Sequence, residues 1–309
     1  MRIVVMGAGG TGGYFGAKLA RAGEDVTFVA RGAHLAAIRE RGLLVRSATE
    51  GEWTVPVTAA ERVDGLPPAE LILFCVKSFD TESAGEAIRP LIGAQTGVLS
   101  IQNGVDNEDT LSRMLGAGHV MGGVAQVFAT IDGPGIIKHT LLGRIIFGEM
   151  DGAETPRARA FLAACGRAGI PAELTRNIVR ALWEKYVFLA AQAGLTALTR
   201  CPAGVIRRTP ETRTMYRLLL EEMAALGRAV GAGLADDVVA RCMELLDTLG
   251  PTAYTSLYHD LSLAKRLELE ALHGHALRLG ERHGIATPML FAVYAALRPH
   301  RDGAPSLPG

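Results

Sequence analysis

Residues Gly7 to Gly12 read Gly-Ala-Gly-Gly-Thr-Gly, a GxGxxG pattern set directly after the apolar run Ile3–Met6 and directly before a segment of helical character, Gly12–Arg21. In that setting the glycines have a chemical use. Gly7 permits a tight turn, Gly9 lets the backbone approach a pyrophosphate, and Gly12 allows close packing of helix on strand. Free N–H groups and the positive dipole end at the helix start then hold the phosphates, with Ala8, Gly10 and Thr11 completing the cradle. The next apolar run, Val26–Ala30, ends in Arg31 and Gly32, where NAD-binding chains place an acid to grip the ribose 2′-hydroxyl. A guanidinium there suits a 2′-phosphate through charge-assisted hydrogen bonds, which predicts NADPH over NADH.

Three further segments carry reactive groups. Cys75-Val76-Lys77-Ser78 closes an apolar strand with a lysine at the carboxyl edge of the sheet, where ligands of such folds bind. Gln102-Asn103-Gly104 ends the following strand, and Asn103 is either an amide reaching inward or only the residue of an Asn-Gly turn. Trp183-Glu184-Lys185-Tyr186 opens an otherwise apolar helix, and Lys185 is either a snorkelling surface lysine or a charge facing a cleft. His34, His259, His273 and His275 stand isolated and read as surface or core histidines.

The elements that must position these groups follow from periodicity. Strands Ile3–Met6, Val26–Ala30, Leu71–Val76 and Gly97–Ile101 alternate with helices Gly12–Arg21, Ala33–Arg41 and Thr81–Leu91, the pattern of βαβ units around a parallel sheet. His119–Ile131 and Gly143–Phe147, separated by Asp132-Gly133-Pro134-Gly135, predict an antiparallel extension of that sheet. A helix over Thr155–Ala168 follows. Beyond it strand signals vanish, and Val179–Leu198, Glu211–Val230, Asp236–Leu249, Leu261–His283 and Pro288–Leu297 read as helices. The chain thus divides into an α/β dinucleotide-binding domain over 1–172 and a helical domain over 173–309, and its tail from Pro299 reads as disordered.

Composition narrows the function. Thirty-two basic residues balance 32 acidic ones, so no overall field points to nucleic acid or an anionic membrane. Arg207-Arg208, the sole basic pair worth naming, reads as a solvated turn. The four cysteines show no metal spacing and read as reduced thiols. With no secretory leader and no apolar stretch near the roughly 20 residues a membrane span needs, the expected location is the cytoplasm.

The whole set resembles the ketopantoate reductases (2-dehydropantoate 2-reductases), from Met1 to about Leu297. The resemblance is carried by MGAGGTGGYFG, by VAR at Val29–Arg31, CVKSF at Cys75–Phe79 and QNGVDNE at Gln102–Glu108. In the second half it is carried by WEKYVFLAAQAGLTAL at Trp183–Leu198, TSLYHDL at Thr255–Leu261, LELEALHG at Leu267–Gly274 and Thr287-Pro288. It implies an α/β N-terminal Rossmann-like domain plus an all-α C-terminal domain similar to that of 6-phosphogluconate dehydrogenase. It also implies reduction of ketopantoate to pantoate with NADPH in pantothenate and coenzyme A biosynthesis. Lys185 matches the family's catalytic lysine and Glu268 its active-site glutamate. Asn103 matches the asparagine near nicotinamide and substrate, Lys77 the lysine after the sheet strand, and Ser256 a serine that contacts the substrate carboxylate. Loop and lysine fall in different domains, so the reaction is expected in a cleft between them, with no metal. The partner is then a small 2-oxo acid, with a homodimer also plausible for an apolar-rich helical domain.

One departure stands out. The family pattern carries asparagines four and eight positions after the lysine, where this chain has Leu189 and Ala193. Loss of two amides alters recognition of a polar hydroxy-keto acid, which leaves open a reductase of another 2-oxo acid, ketolactone or imine. An NADP(H)-binding sensor without turnover is the reading from another class.

Overall fold

The computed structural model describes residues 1–305 and divides into two compact units, one over 1–102 and 107–178, the other over 103–106 and the chain from 179 on. The first unit runs β1 (Arg2–Met6), α1 (Gly10–Arg21), β2 (Asp25–Val29), α2 (Gly32–Arg41), β3 (Leu43–Ser47), β4 (Gly51–Val55), β5 (Thr58–Ala60), β6 (Leu71–Phe74), α3 (Thr81–Ala87), β7 (Gly97–Ser100) and α4 (Asn107–Leu115). It continues with β8 (Val120–Gly133), β9 (Ile136–Glu149), α5 (Pro156–Arg167) and β10 (Ala172–Leu174). One mixed sheet takes the order β4-β3-β9-β8-β7-β6-β1-β2-β5, with β10 beside β9.

Side-chain alternation explains why the central strands are apolar throughout. Ile3 and Val5 of β1, with Leu71 and Leu73 of β6, enter one core; Val4 and Met6, with Ile72 and Phe74, enter the other. Both faces of the parallel strands are therefore covered, and no residue of those runs can be polar without cost. The register puts Val29, Met6, Phe74 and Ser100 side by side across four neighbouring parallel strands. Their carboxyl ends therefore open on one edge, and Gly7, Arg31, Lys77 and Asn103 each follow one of these strands within three residues.

The expected antiparallel extension is the long β8–β9 hairpin. Strands β3, β4, β5 and β10 escaped sequence reading: all four are five residues or shorter, β3, β5 and β10 each pair with a strand distant in sequence, and β4 folds back on β3. The fold of this unit is Rossmann-like.

The second unit is helical: α6 (Ile178–Thr199), α7 (Ala203–Arg208), α8 (Pro210–Ala229), α9 (Val238–Thr248), α10 (Ser256–Ser262), α11 (His275–His283) and α12 (Pro288–Leu297). Three expectations need correction. The helix expected over Leu261–His283 is broken: α10 stops at Ser262, Lys265–Glu268 is non-helical, and a π-turn over Glu270–Gly274 leads into α11. The tail from Pro299 is ordered as far as Pro305, because Leu267 N–H donates to the Arg301 carbonyl at 2.8 Å and Arg266 pairs with Asp302; its last four residues lie outside the described ones. Arg207 is no solvated turn either, since its guanidinium donates to the carbonyls of Leu246, Asp247 and Leu249 and caps the carboxyl end of α9.

Candidate functional site

The glycine loop has the backbone that its sequence demands. Gly7 has φ +102°, and a Cβ there would lie 3.0 Å from the backbone of Cys75 and Val76, so the loop turns tightly against the end of β6. Helix α1 starts at Gly10 with Gly9 as its cap and has no acid in its first turn. A Cβ on Gly9 would meet nothing within 4 Å, which leaves that backbone open to a ligand. At Gly12 a Cβ would stand 2.2 Å from the Gly7 carbonyl oxygen, so this position closes the helix onto the strand. Gly10 has a second reason to be glycine: a Cβ there would sit 2.0 Å from the Ala129 carbonyl oxygen of β8.

His34, which sequence reading left unassigned, tethers this loop. Its Nε2 lies 2.9 Å from the Ala8 carbonyl, and its Nδ1 accepts from Gly135 N–H in the β8–β9 turn at 3.0 Å. An accepting Nδ1 makes Nε2 the donor, so the ring is the neutral Nε2–H tautomer. Burial pushes its pKa below the usual histidine value, in keeping with that state.

Arg31 follows β2 as the cap of α2 and is exposed. No carboxylate pairs with it among the described residues. Lys77 is half-buried just past the end of β6. Its loop is shaped by Gln102, whose amide donates to the Val76 carbonyl at 3.0 Å and to Thr81 Oγ1 at 2.9 Å. The buried Oε1 of Gln102 has no hydrogen-bond partner. Burial pushes the neighbouring Cys75 thiol up, so it stays protonated and takes no part as a thiolate.

In the helical unit, α6 carries Lys185 half-buried between the buried Trp183 and Tyr186. Leu189 and Ala193 follow at spacings of four and lie on the same helical face. Glu268 is buried, with 6% of its surface exposed, in the non-helical segment before the π-turn. Two hydrogen bonds join that turn to α6: Tyr186 Oη donates to the Ala271 carbonyl at 3.0 Å, and His273 Nε2 lies 2.9 Å from the Ala190 carbonyl. The first attaches one residue after Lys185 and three after Glu268, and the second five residues after each.

Ser256 opens α10 and is exposed, and the cap of that helix is its neighbour Thr255, which accepts from Tyr258 N–H. Thr255 Oγ1 lies 2.9 Å from Thr196 Oγ1, which fastens the start of α10 to α6. Beside Ser256, the rings of Tyr254 and Tyr258 stack at 3.9 Å, a platform whose residues sequence reading missed. Asn103 belongs by its contacts to this helical unit, where Asp106 of its loop lies 3.5 Å from His275 Nδ1. Asn103, Lys185, Glu268 and Ser256 therefore share one unit, and the glycine loop, Arg31 and Lys77 share the other.

The sequence model of the family described as ketopantoate reductase PanE/ApbA matches residues 3–152, and its C-terminal counterpart matches residues 177–301. The chain belongs to the ketopantoate reductase family. It is 32% identical over 287 residues to a 2-dehydropantoate 2-reductase of Archaeoglobus fulgidus, covering 92% of each chain. A second relative of the same name, from Mesorhizobium japonicum, is 30% identical over 320 residues, covering 96% of this chain and 97% of the other. Among solved structures, the PanE/ApbA family ketopantoate reductase of Ralstonia eutropha superposes with a TM-score of 0.90 at 34% identity, covering 97% of this chain and 98% of that one. The 2-dehydropantoate 2-reductase of Geobacter metallireducens gives 0.88 at 33% identity, covering 96% and 99%. As a member of this family the chain is an oxidoreductase. Among the described residues, no helix is long and apolar enough to cross a membrane.

Proposed function

We propose that this chain is an NADPH-dependent reductase of a 2-oxo acid, with ketopantoate as the first substrate to test. The observation that carries the chemistry is the pair of hydrogen bonds that holds the Lys185 helix against the turn following Glu268. The residues of the α/β unit fit a phosphorylated dinucleotide. Gly9 presents open backbone, α1 begins with no acid to repel a phosphate, and Arg31 stands exposed without an acidic partner among the described residues. Gly7–Gly12 would hold the pyrophosphate and Arg31 the 2′-phosphate, with Lys77 and Asn103 nearer the nicotinamide.

When bound, the dinucleotide supplies a hydride to the ketone carbon. The charge that then grows on the carbonyl oxygen is met by Lys185, whose ammonium stabilises it and donates the proton that makes the hydroxyl. Glu268 keeps that lysine charged and oriented. Ser256 and Asn103 hold the substrate, Ser256 through the carboxylate.

A second reading is favoured by Leu189, half-buried one turn beyond Lys185 on α6, where it puts an apolar side chain, while Ala193 a turn further is buried in the core. A 2-oxo acid or ketolactone with an apolar substituent would suit that side chain better than the hydroxylated ketopantoate. Following NADPH absorbance with ketopantoate beside a panel of 2-oxo acids and ketolactones tests both. Turnover of another ketone with none of ketopantoate selects the second reading. NADPH binding without turnover of any ketone leaves a sensor.

A further inference from the structure

The π-turn at Glu270–Gly274 is a break in helical hydrogen bonding, and such breaks have identifiable causes. Here the cause is a side chain. The hydroxyl of Tyr186 donates to the Ala271 carbonyl at 3.0 Å, and the Ala276 N–H faces the phenol oxygen. The phenol thus sits where a backbone bond of the turn would otherwise close. The opposite arm of the clamp is His273, a residue of the turn itself, which reaches back to the Ala190 carbonyl of α6 at 2.9 Å. A Cβ on Gly194 would lie 2.8 Å from the imidazole Nε2, so Gly194 is glycine to let the ring lie on the helix. Both side chains are buried, Tyr186 at 1% and His273 at 0% exposure, and neither has an assigned part in the reaction.

We infer that Tyr186 and His273 are positioning residues, which fix the register of the Lys185 helix against the turn after Glu268 and so set the geometry of the acid. The inference rests on the proposed role of Lys185. Two features make the clamp rigid rather than adaptable. The bonds run in opposite directions, one donor on each element, so sliding α6 past the turn breaks both. The His273 Nδ1 is buried without a hydrogen-bond partner among the described residues, so no alternative bond there compensates within that pocket. Burial also holds the Tyr186 phenol protonated and pushes His273 down to about 4, so both are neutral donors throughout the working pH range.

The test is kinetic, with the fastest 2-oxo acid of the ketopantoate panel as substrate. Tyr186→Phe removes one oxygen, His273→Leu removes the donor, and His273→Gln keeps a donor amide near the Nε2 position. NADPH affinity is read by fluorescence titration, and Lys185→Ala serves as the reference. A displaced acid lowers kcat by about 10-fold or more, so Tyr186→Phe and His273→Leu are expected to do so, with NADPH affinity unchanged and the alkaline limb of the kcat–pH profile shifted. His273→Gln is expected to restore most of the rate. Rates and pH profiles within twofold of the parent in Tyr186→Phe and His273→Leu, with Lys185→Ala inactive, overturn the clamp and leave the acid in place. Parallel loss of NADPH affinity and kcat also overturns it, as a general loosening. A fully active Lys185→Ala removes the acid assignment itself and the clamp with it. Should His273→Leu not fold, Tyr186→Phe and His273→Gln still decide, because neither changes the buried volume by more than a few atoms.

Discussion

Gly10 and Ala129 are in backbone contact: a Cβ on the glycine would lie 2.0 Å from the carbonyl oxygen of the alanine, too close for any rotamer to relieve. One position earlier, a Cβ on Gly9 would meet nothing within 4 Å. Adjacent glycines of one motif thus have different surroundings, Gly10 the backbone of β8 and Gly9 open space that the proposed dinucleotide would fill.

The two alanine variants should separate accordingly. Gly10→Ala is expected to lose about 3 kcal/mol or more of stability, since backbone must move to admit the methyl, read as a fall in Tm. Gly9→Ala is expected to keep its Tm and to weaken NADPH binding by about 10-fold or more. Equal effects of both on Tm would mean that Gly9 too is a packing residue.

The proposed choice of NADPH rests on Arg31. Charge-assisted hydrogen bonds contribute about 1.5–3 kcal/mol, so Arg31→Ala should lower the kcat/KM preference for NADPH over NADH by about 10-fold to 100-fold. An unchanged preference would assign the 2′-phosphate to another group.

Lys185→Ala should reduce kcat by about 10²-fold to 10⁴-fold, the usual contribution of a positioned acid, with NADPH affinity preserved. A rate within threefold of the parent would remove the lysine from the chemistry.

For Leu189, replacement by asparagine restores an amide to the face of α6 that carries Lys185. Leu189→Asn should raise the kcat/KM ratio of ketopantoate to an unhydroxylated 2-oxo acid by about 10-fold, the order of discrimination one polar contact supplies. A ratio that does not move would show that this face does not meet the substrate's hydroxyl.

Acid should unfold the chain partly through His273. Burial pushes this imidazole from its ordinary 6.5 down to about 4. Between those values the unfolded chain binds a proton that the native one refuses, so stability is full above pH 6.5 and falls as pH drops toward 4. At pH near 5 the loss amounts to about 2 kcal/mol. Urea unfolding near pH 7.5 and near pH 5 should show this additional loss in the parent and not in His273→Gln. Equal losses in the two proteins would place the acid sensitivity elsewhere.

Much of the candidate site was legible from local chemistry. The GxGxxG loop, Arg31, Lys77 and the strand ends that carry them follow from glycine's freedom, two-sided burial of parallel strands and the charge at a strand end, all of which act within a few residues. The four-residue spacing of Lys185, Leu189 and Ala193 was likewise readable, because a helix repeats every 3.6 residues. His34, Gln102, Tyr186 and His273 were not readable in this way. Each acts on a partner 26 to 101 residues away, and a lone histidine or tyrosine carries no periodic signal of such a bond. The same holds for the π-turn before α11, which receives the Tyr186 phenol from α6, and for the tail, where the Arg301 carbonyl accepts from Leu267 N–H. Composition and spacing determined which groups this chain has for the proposed binding of a dinucleotide and protonation of a ketone. Only packing at long range decided which carbonyls those groups would meet, because a hydrogen bond depends on distance and direction in space and not on separation along the chain.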